Sequence, residues 1–311
     1  MKHYLYTTLL ISGLSYAAIP TLGPQTNSKS AHFEHEHELS DSFQSISVDG
    51  DITLDISNGP QSVVSYSADN TPPNLVIEIS EDTLYIAPKS ENKNWFSIFN
   101  WRSTDDRKNK KIKITLPRLD SLRMHGVSYA NIESPMSIKK ISLSGASQIN
   151  MDTLFSKSSL EIKLRTYTKF NAQKIEGAHI SLSQSGTSTF NVSSLTADSF
   201  ISKAHGQCVQ HISKLDSNLY EIALTEQTRS DIDNSKNKVV NAKLHGTALF
   251  NIGSLKTNQL NATMSGSSSL EIMQGNAGES NISLHNNASH HFESFKAGKL
   301  KLINTTGNKI E

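Results

Sequence analysis

Residues 241–260 read NAKLHGTALFNIGSLKTNQL, and residues 261–280 read NATMSGSSSLEIMQGNAGES. Set one beneath the other, Leu244 meets Met264, Gly246 meets Gly266, Phe250 meets Leu270 and Ile252 meets Ile272. The glycine column continues backward at the same step to Gly206 and Gly186. Glu226 and Asn286 fill two further steps, and Thr166 and Gly126 stand earlier on the same count. Gly145 falls one residue out of step, as a one-residue deletion just before it would leave it, and Gly307 falls one residue late. Self-similarity at a fixed short period marks a repeat architecture, here about ten coils between Leu119 and Glu311.

Apolar residues alternate around this column. Two residues before it stand Met124, Leu143, Leu164, Leu224, Leu244, Met264 and Leu284. Four residues after it come Ile149, Phe170, Phe190, Phe250 and Leu270, and six after it Ile132, Val192, Ile212, Ile232, Ile252, Ile272 and Phe292. A step of two is the strand period, with side chains pointing alternately in and out. A further apolar point closes each coil at Ile175, Leu195, Leu215, Leu255 and Phe295. Each coil therefore reads as two short strands, bent at the glycine column and near the closing position.

One such unit cannot bury its apolar side alone, but stacked units share a continuous narrow core. The expectation is an all-β, right-handed parallel β-solenoid with strands about 4.8 Å apart, roughly 48 Å for the whole stack. Glycine supplies a left-handed bend or room at a tight corner. Thr166 and Glu226 in that column predict that a left-handed backbone is not needed in every coil. Gln210, Ser230 and His290 are polar where the pattern asks for Phe or Leu, which predicts a thinner or wetter core there, or a slipped register.

The rest of the chain is organised around that array. Residues 1–17 read as a signal peptide: Lys2, an apolar stretch from Leu5 to Leu14, then Ser15-Tyr16-Ala17 as a small-x-small cleavage site. The apolar stretch is too short to span a bilayer. Removing Lys2 from 30 basic residues leaves a balance with the 29 acidic ones, so bulk charge calls for neither nucleic acid nor an anionic membrane. The lone Cys208 cannot close an internal disulfide. The expected location is periplasmic, cell-surface or secreted.

Residues 18–40 form a leader in which His32, His35 and His37 alternate with Glu34, Glu36 and Glu38. Residues 41–117 carry short strand-like runs that do not follow the period of the later coils, punctuated by Asp49-Gly50, Asn58-Gly59-Pro60 and Pro72-Pro73. Their expected role is a β cap over the first coil of the solenoid, residues 118–311. The repeat runs to the last residue, where Lys296, Lys299, Lys301 and Lys309 read as a guard against edge-to-edge pairing. The rival reading is that this end docks a partner or a second copy.

Several of these pieces together resemble the head GIN domain of auto-transporter adhesins. The resemblance covers about residues 40–311. It is carried by Val48-Asp49-Gly50-Asp51-Ile52, by Leu84-Tyr85-Ile86, and by Ile112-Lys113-Ile114-Thr115-Leu116-Pro117 followed by Leu119. A G-x-x-x-x-N signature recurs at Gly126/Asn131, Gly145/Asn150, Gly186/Asn191 and Gly246/Asn251, and decays at Gly206/His211, Glu226/Asp231 and Gly266/Glu271. The resemblance implies a β-helix-like fold in envelope or surface proteins and an adhesive role, with no catalytic residues to carry over.

The candidate ligand- or partner-binding residues are Trp95, Phe96, Phe99 and Trp101, beside Arg102, Arg107, Lys108, Lys110 and Lys111. Such a cluster stacks on sugar rings, sits at a membrane interface, anchors a protein partner, or plugs the end of the solenoid. The polar column Asn131, Asn150, Asn171, Asn191, His211, Asp231, Asn251, Glu271, His291 and Glu311 faces outward, as a binding stripe or as an ordinary solvated face. His205, His245 and His285 share a column two coils apart, roughly 9.6 Å, too far for one zinc ion with bonds near 2 Å. Cys208 near His205 and His211 lacks a catalytic pattern, and no Gly-x-Ser-x-Gly, Walker or zincin motif occurs. The sequence therefore assigns no catalytic residue, cofactor or metal. It points to a non-catalytic envelope or secreted binding module for a protein or glycan. A carbohydrate-active β-helix enzyme and a structural envelope scaffold are the alternatives, and oligomeric state stays open.

Overall fold

The computed structural model describes residues 35–38, 43–60, 62–66, 75–88 and 111–305, and every regular element among them is a β-strand. The signal peptide, most of the leader, the 94–101 aromatic segment and the last six residues lie outside the described residues. The N-terminal strands are β1 (His35–Glu38), β2 (Ser45–Asp49), β3 (Thr53–Asn58), β4 (Val63–Tyr66), β5 (Leu75–Ser80), β6 (Thr83–Pro88) and β7 (Lys111–Leu116). Short strands β8 (Ser121–His125), β9 (Tyr129–Ile132), β10 (Met136–Ser137) and β11 (Lys140–Leu143) follow. The long ones are β12 (Gln148–Thr166), β13 (Lys169–Gly186), β14 (Thr189–Gly206) and β15 (Val209–Glu226). Then come β16 (Arg229–Leu244), β17 (Leu249–Met264), β18 (Ser269–Leu284) and β19 (Ser289–Asn304).

Each long strand lies parallel to the next, and from β13 onward every residue pairs with its equivalent one repeat later. Phe190 pairs with Gln210, Gln210 with Ser230, and Ser230 with Phe250. The coils make a β-solenoid of about nine turns, and residues 299–304 begin the tenth that the sequence count includes. The irregular glycine spacing is real: Ser121 pairs with Lys140, which makes that coil one residue shorter than the regular ones, and a bulge between Ser156 and Ser159 restores the period.

The coil has three faces where the sequence suggested two strands. In one turn the buried residues are Phe200, Ser202 and Ala204, then Cys208, Gln210 and Ile212, then Leu215 and Ser217, before Tyr220 opens the next turn. Their spacing is two along a face and widens to three after Ile212 and after Ser217, which places a bend at each point. The leucine column that looked like the close of a strand is the start of a short third face. Hydrogen bonding continues around those bends, so only the glycine corner interrupts the strand.

That corner is left-handed in every described turn, which corrects the expectation drawn from Thr166 and Glu226. Gly186, Gly206, Gly246 and Gly266 have φ of 76°, 102°, 79° and 77°, and Thr166, Glu226 and Asn286 adopt 68°, 61° and 58°. The bend is imposed by the stack, because the corner residue hands its carbonyl to the coil above. Gln207 N donates to Gly186 O at 2.7 Å and Gln227 N to Gly206 O at 3.1 Å. A non-glycine residue there accepts strain of about 1–2 kcal/mol to keep the ladder in register.

The inward polar residues do not shift the register. Gln210 and Ser230 are fully buried. The Gln210 amide donates to Ser202 Oγ at 2.8 Å, and its carbonyl accepts from Ser202 at 3.0 Å and from Ser230 at 3.4 Å. Consecutive turns thus share one internal hydrogen-bonded group, which satisfies polar atoms that burial would otherwise penalise. His290 is half-buried on the last turn, and burial, followed by the neighbouring His291, lowers its pKa from the ordinary histidine value.

The N-terminal strands also enter the stack, which the repeat period did not show. β2 and β3 lie parallel on β8 and β9, with Ser45 opposite Ser121 and Thr53 opposite Tyr129. Gly50, with φ 101°, stands in the glycine column, and Val127 N donates to its carbonyl at 3.2 Å. On their other side β2 and β3 pair parallel with β6 and β7. β5 and β4 then lie antiparallel on β6 and β7, and β1 antiparallel on β4. Where the chain returns to the stack, Asp120 accepts bonds from Arg118 and Lys139 at 2.8–2.9 Å, and these hold its carboxyl below the usual carboxylate range.

Gly206→Ala is expected to cost about 2 kcal/mol or more. It combines left-handed strain with a Cβ placed 2.7 Å from Gly186 O. Thr166→Gly is expected to leave stability unchanged or raise it by up to about 1 kcal/mol. Denaturant midpoints of the two variants check this; a neutral Gly206→Ala would sink the account of the corner.

Candidate functional site

A parallel in-register stack sets equivalent side chains about 4.8 Å apart, so any outward column becomes a ladder. The column read as a binding stripe is an amide ladder over its first turns. Asn150 Nδ2 donates to Tyr129 Oη at 2.6 Å, Asn171 Nδ2 to Asn150 Oδ1 at 2.7 Å, and Asn191 Nδ2 to Asn171 Oδ1 at 3.0 Å. Where the asparagines decay, acid–amide pairing replaces them, as from Asn251 Nδ2 to Asp231 Oδ1 at 2.8 Å. These side chains are half-buried. Asn171 spends one N–H and one carbonyl lone pair on its ladder neighbours, Asn150 Oδ1 also accepts from Gln148 at 3.2 Å, and Asn251 Oδ1 is buried without a hydrogen-bond partner.

A second ladder on another face escaped the sequence reading. Asn241 donates to Glu221 at 3.3 Å, Asn261 to Asn241 at 2.8 Å, and Asn281 to Asn261 at 3.1 Å. The signal was present as three asparagines, each one repeat after the last.

The histidine column alternates with hydroxyls. His205 Nδ1 lies 3.0 Å from Thr225 Oγ1, His245 Nδ1 2.8 Å from Ser265 Oγ, and His285 Nδ1 2.7 Å from Thr305 Oγ1. His125 and Ser144 repeat the arrangement at 2.8 Å. From His205 to His285, histidine therefore recurs every second coil, with a hydroxyl between. No group of three or more His, Cys, Asp or Glu side chains that could hold a metal occurs among the described residues.

Cys208 belongs to an inward column that the sequence reading also missed. Ser128, Ser147, Thr168, Ser188, Cys208, Thr228, Ala248 and Ser268 stand two residues after the corner, all buried. The Cys208 thiol donates to His205 O at 3.2 Å, the same bond that Ser147 makes to Ser144 O at 2.7 Å and Ser268 to Ser265 O at 3.0 Å. The inside of the corner admits only a small side chain, and the thiol is one of these.

One open groove of about 520 Å³ crosses the bend after the third face, lined by Lys157, Glu176, Thr196, Asp198, Asp216 and Asn218 among others. Several of its polar groups are engaged with one another or with adjacent lysines. Asn218 donates to Asp198 at 3.2 Å, Lys174 pairs with Glu176 at 2.6 Å, and Lys236 lies 3.8 Å from Asp216. Trp95, Phe96, Phe99 and Trp101 lie outside the described residues, as does His32; His35 and His37 belong to β1. No helix among the described residues is long and apolar enough to cross a membrane.

The fold and its side-chain ladders define a parallel β-solenoid that presents regular polar stripes. The chain belongs to the family described as "putative auto-transporter adhesin, head GIN domain", whose pattern matches residues 42–222. A crystal structure of a putative adhesin from Parabacteroides merdae shares the fold, at 16% identity over 83% of this chain and 94% of that one, with a TM-score of 0.53. A putative adhesin from Parabacteroides distasonis matches at 14% identity over 83% and 95% of the two chains, TM-score 0.49. A putative lipid binding protein from the same organism matches at 15% identity over 86% and 95%, TM-score 0.45. No curated protein matches the chain.

The ladder geometry predicts a tautomer at two of the histidines. Ser144 donates its hydroxyl proton to Met124 O at 3.4 Å and Thr305 to Leu284 O at 3.2 Å. A hydroxyl that gives its proton to the carbonyl accepts from the imidazole, so neutral His125 and His285 are expected to carry the proton on Nδ1 with Nε2 bare. Thr225 acts likewise toward His205, donating to Ala204 O at 3.3 Å, but there Glu226 Oε1 lies 3.3 Å from Nε2 and competes for the ring proton. Long-range proton–nitrogen correlation spectra should show the Nδ1-protonated form at His125 and His285. Ser144→Ala should remove the preference at His125 alone. Nε2-protonated rings at both positions in the native protein would contradict it.

Proposed function

We propose that the chain is an exported, non-catalytic, adhesin-like module that recognises a protein or glycan of the cell envelope. In this reading, contact is made along a flank of the solenoid and through the aromatic segment Trp95, Phe96, Phe99 and Trp101. Membership of the adhesin-head family supports it. The observation that carries it is the uniform coil. From β13 to β19 every turn has the same length, with no inserted loop to wall a cleft, and the outward positions form stripes crossed by an open groove rather than an enclosed pocket. Repeated amide and hydroxyl groups at coil spacing suit an extended, polar, repeating partner, and indole rings suit sugar faces or apolar anchors.

A glycan array probed with the full chain and with the Trp95→Ala/Trp101→Ala variant tests recognition. A specific ligand whose signal falls at least tenfold in the variant supports the aromatic segment. Unchanged binding removes it from the site, and turnover of a polysaccharide overturns the non-catalytic reading.

Export rests on residues 1–17. Fractionation of the native host, with mass measurement of the mature chain, should place it in the periplasm, on the surface or in the medium, beginning at Ala18 or Ile19. A full-length chain in the cytosol would reject export.

A further inference from the structure

The two ends of the stack differ. At the N-terminal end, β6 and β7 are already paired on their outer sides by β5 and β4. At the other end, β19 pairs with β18, and its second edge pairs with no strand among the described residues. The inward columns surface there. Leu300 is 58% exposed, while Phe292, Phe295 and Leu302 are only partly covered; Ile303, on an outward column, is exposed as well. Beside them stand Lys296, Lys299 and Lys301, all exposed and without an ion pair among the described residues, against the exposed acids Glu293 on the same strand and Glu279 on β18.

We propose that the free edge of β19 is a docking site for an extended, acidic β-segment of a partner protein, which adds as the next rung of the ladder. An unpaired edge presents backbone N–H and C=O groups that another strand satisfies. The chain itself shows the side-chain rule: across β18 and β19, Glu279 faces Lys299, Asn276 faces Lys296 and Asn281 faces Lys301. An incoming strand therefore sets apolar residues over Phe295, Leu300 and Leu302 and carboxylates over the three lysines.

Charge and topology decide against the other occupants. A second copy joined edge to edge about a twofold axis would bring two sets of these lysines together. A head-to-tail copy would have to add to β5 or β1, the outer strands at the other end, and β5 runs antiparallel to β6, so its side chains do not continue the columns that β19 presents. A lipid surface offers the lysines phosphates but leaves the backbone edge unsatisfied. The site lies at the end of the stack and not on the flank, so it stands or falls separately from the glycan reading above.

The test uses the full chain and the octapeptide LEAGELEL, whose glutamates fall opposite Lys296, Lys299 and Lys301 in a parallel addition, together with its reverse LELEGAEL for an antiparallel one. Fluorescence anisotropy should show saturable binding of at least one. The exposed triple change Lys296→Glu/Lys299→Glu/Lys301→Glu should weaken it at least tenfold and create binding of LKAGKLKL, and backbone N-methylation on the pairing edge should abolish it. Failure of both acidic peptides overturns the proposal, as does equal binding of the basic peptide by the unmodified chain. Binding to phosphatidylserine vesicles in place of the peptides would assign the edge to lipid, and a sedimenting dimer that excludes them would assign it to a second copy; either outcome overturns it.

Discussion

In-register parallel stacking is the constraint from which the other features follow, because it gives every side chain the same position on the coil above and below. Apolar side chains gain from this: Phe170 stacks on Phe190 and Phe200 on Tyr220, each with ring centroids 5.3 Å apart. Amides gain too, since each carries a donor and an acceptor and can extend a ladder indefinitely. Charges lose, because like charges directly opposite repel. The chain accordingly staggers them. Lys163, Lys203 and Lys243 share a column with Ser183 and Ala223 between, and the histidines alternate with Ser and Thr. Where Lys236 does sit opposite Lys256, Asp216 lies on its other side.

The same constraint governs the core. A polar residue in an inward column meets its equivalents and finds a partner among them, on an adjacent face, or not at all, as with Tyr220 Oη and Ser280 Oγ. Gln210 finds its partners in Ser202 across the coil and Ser230 on the next turn. Tyr220 stays neutral there, because burial pushes its phenol pKa up and the nearby Ser230 only partly offsets this. Small residues at Ser202 and Ser230 make room for the glutamine and the tyrosine ring, so the column trades volume between turns rather than holding one residue type.

Periodicity made the coils legible, because Gly186, Gly206, Gly246 and Gly266 and their apolar neighbours recur at one fixed shift. It failed where the physics is not periodic in sequence. Gly50 occupies the glycine column, but Ser45 and its stacking partner Ser121 are separated by the whole of β3 to β7, so no fixed shift aligns them. Thr166 and Glu226 looked like evidence against a left-handed corner, when the ladder holds them there against their own preference. The buried Ser, Thr, Cys and Ala column went unread, because small, mostly polar side chains such as Ser147 and Ser268, bonded to a carbonyl three residues back, carry no hydrophobic signal. The outward stripe was visible as a column, but not its coil-to-coil hydrogen bonds, which depend on close register. Trp95, Phe96, Phe99 and Trp101 stood out by composition alone, which carries no geometry.

A ladder of identical rungs has no intrinsic stopping point, so each end must be encoded locally. At one end the chain reverses direction: once β4 and β5 lie antiparallel on β7 and β6, equivalent side chains no longer meet, and a further parallel rung finds no matching column. At the other end direction and register persist through β19, and it is the side chains that change. Lys296, Lys299 and Lys301 crowd into half a strand, as Lys236, Lys238 and Lys243 do in β16, but there Asp216 on the preceding coil lies 3.8 Å from Lys236, whereas the three in β19 have no ion pair among the described residues. Lysine on an edge leaves the backbone groups available while discriminating by charge among strands that could use them. The first end thus breaks the columns by direction, while the last described rung keeps direction and register and changes in charge.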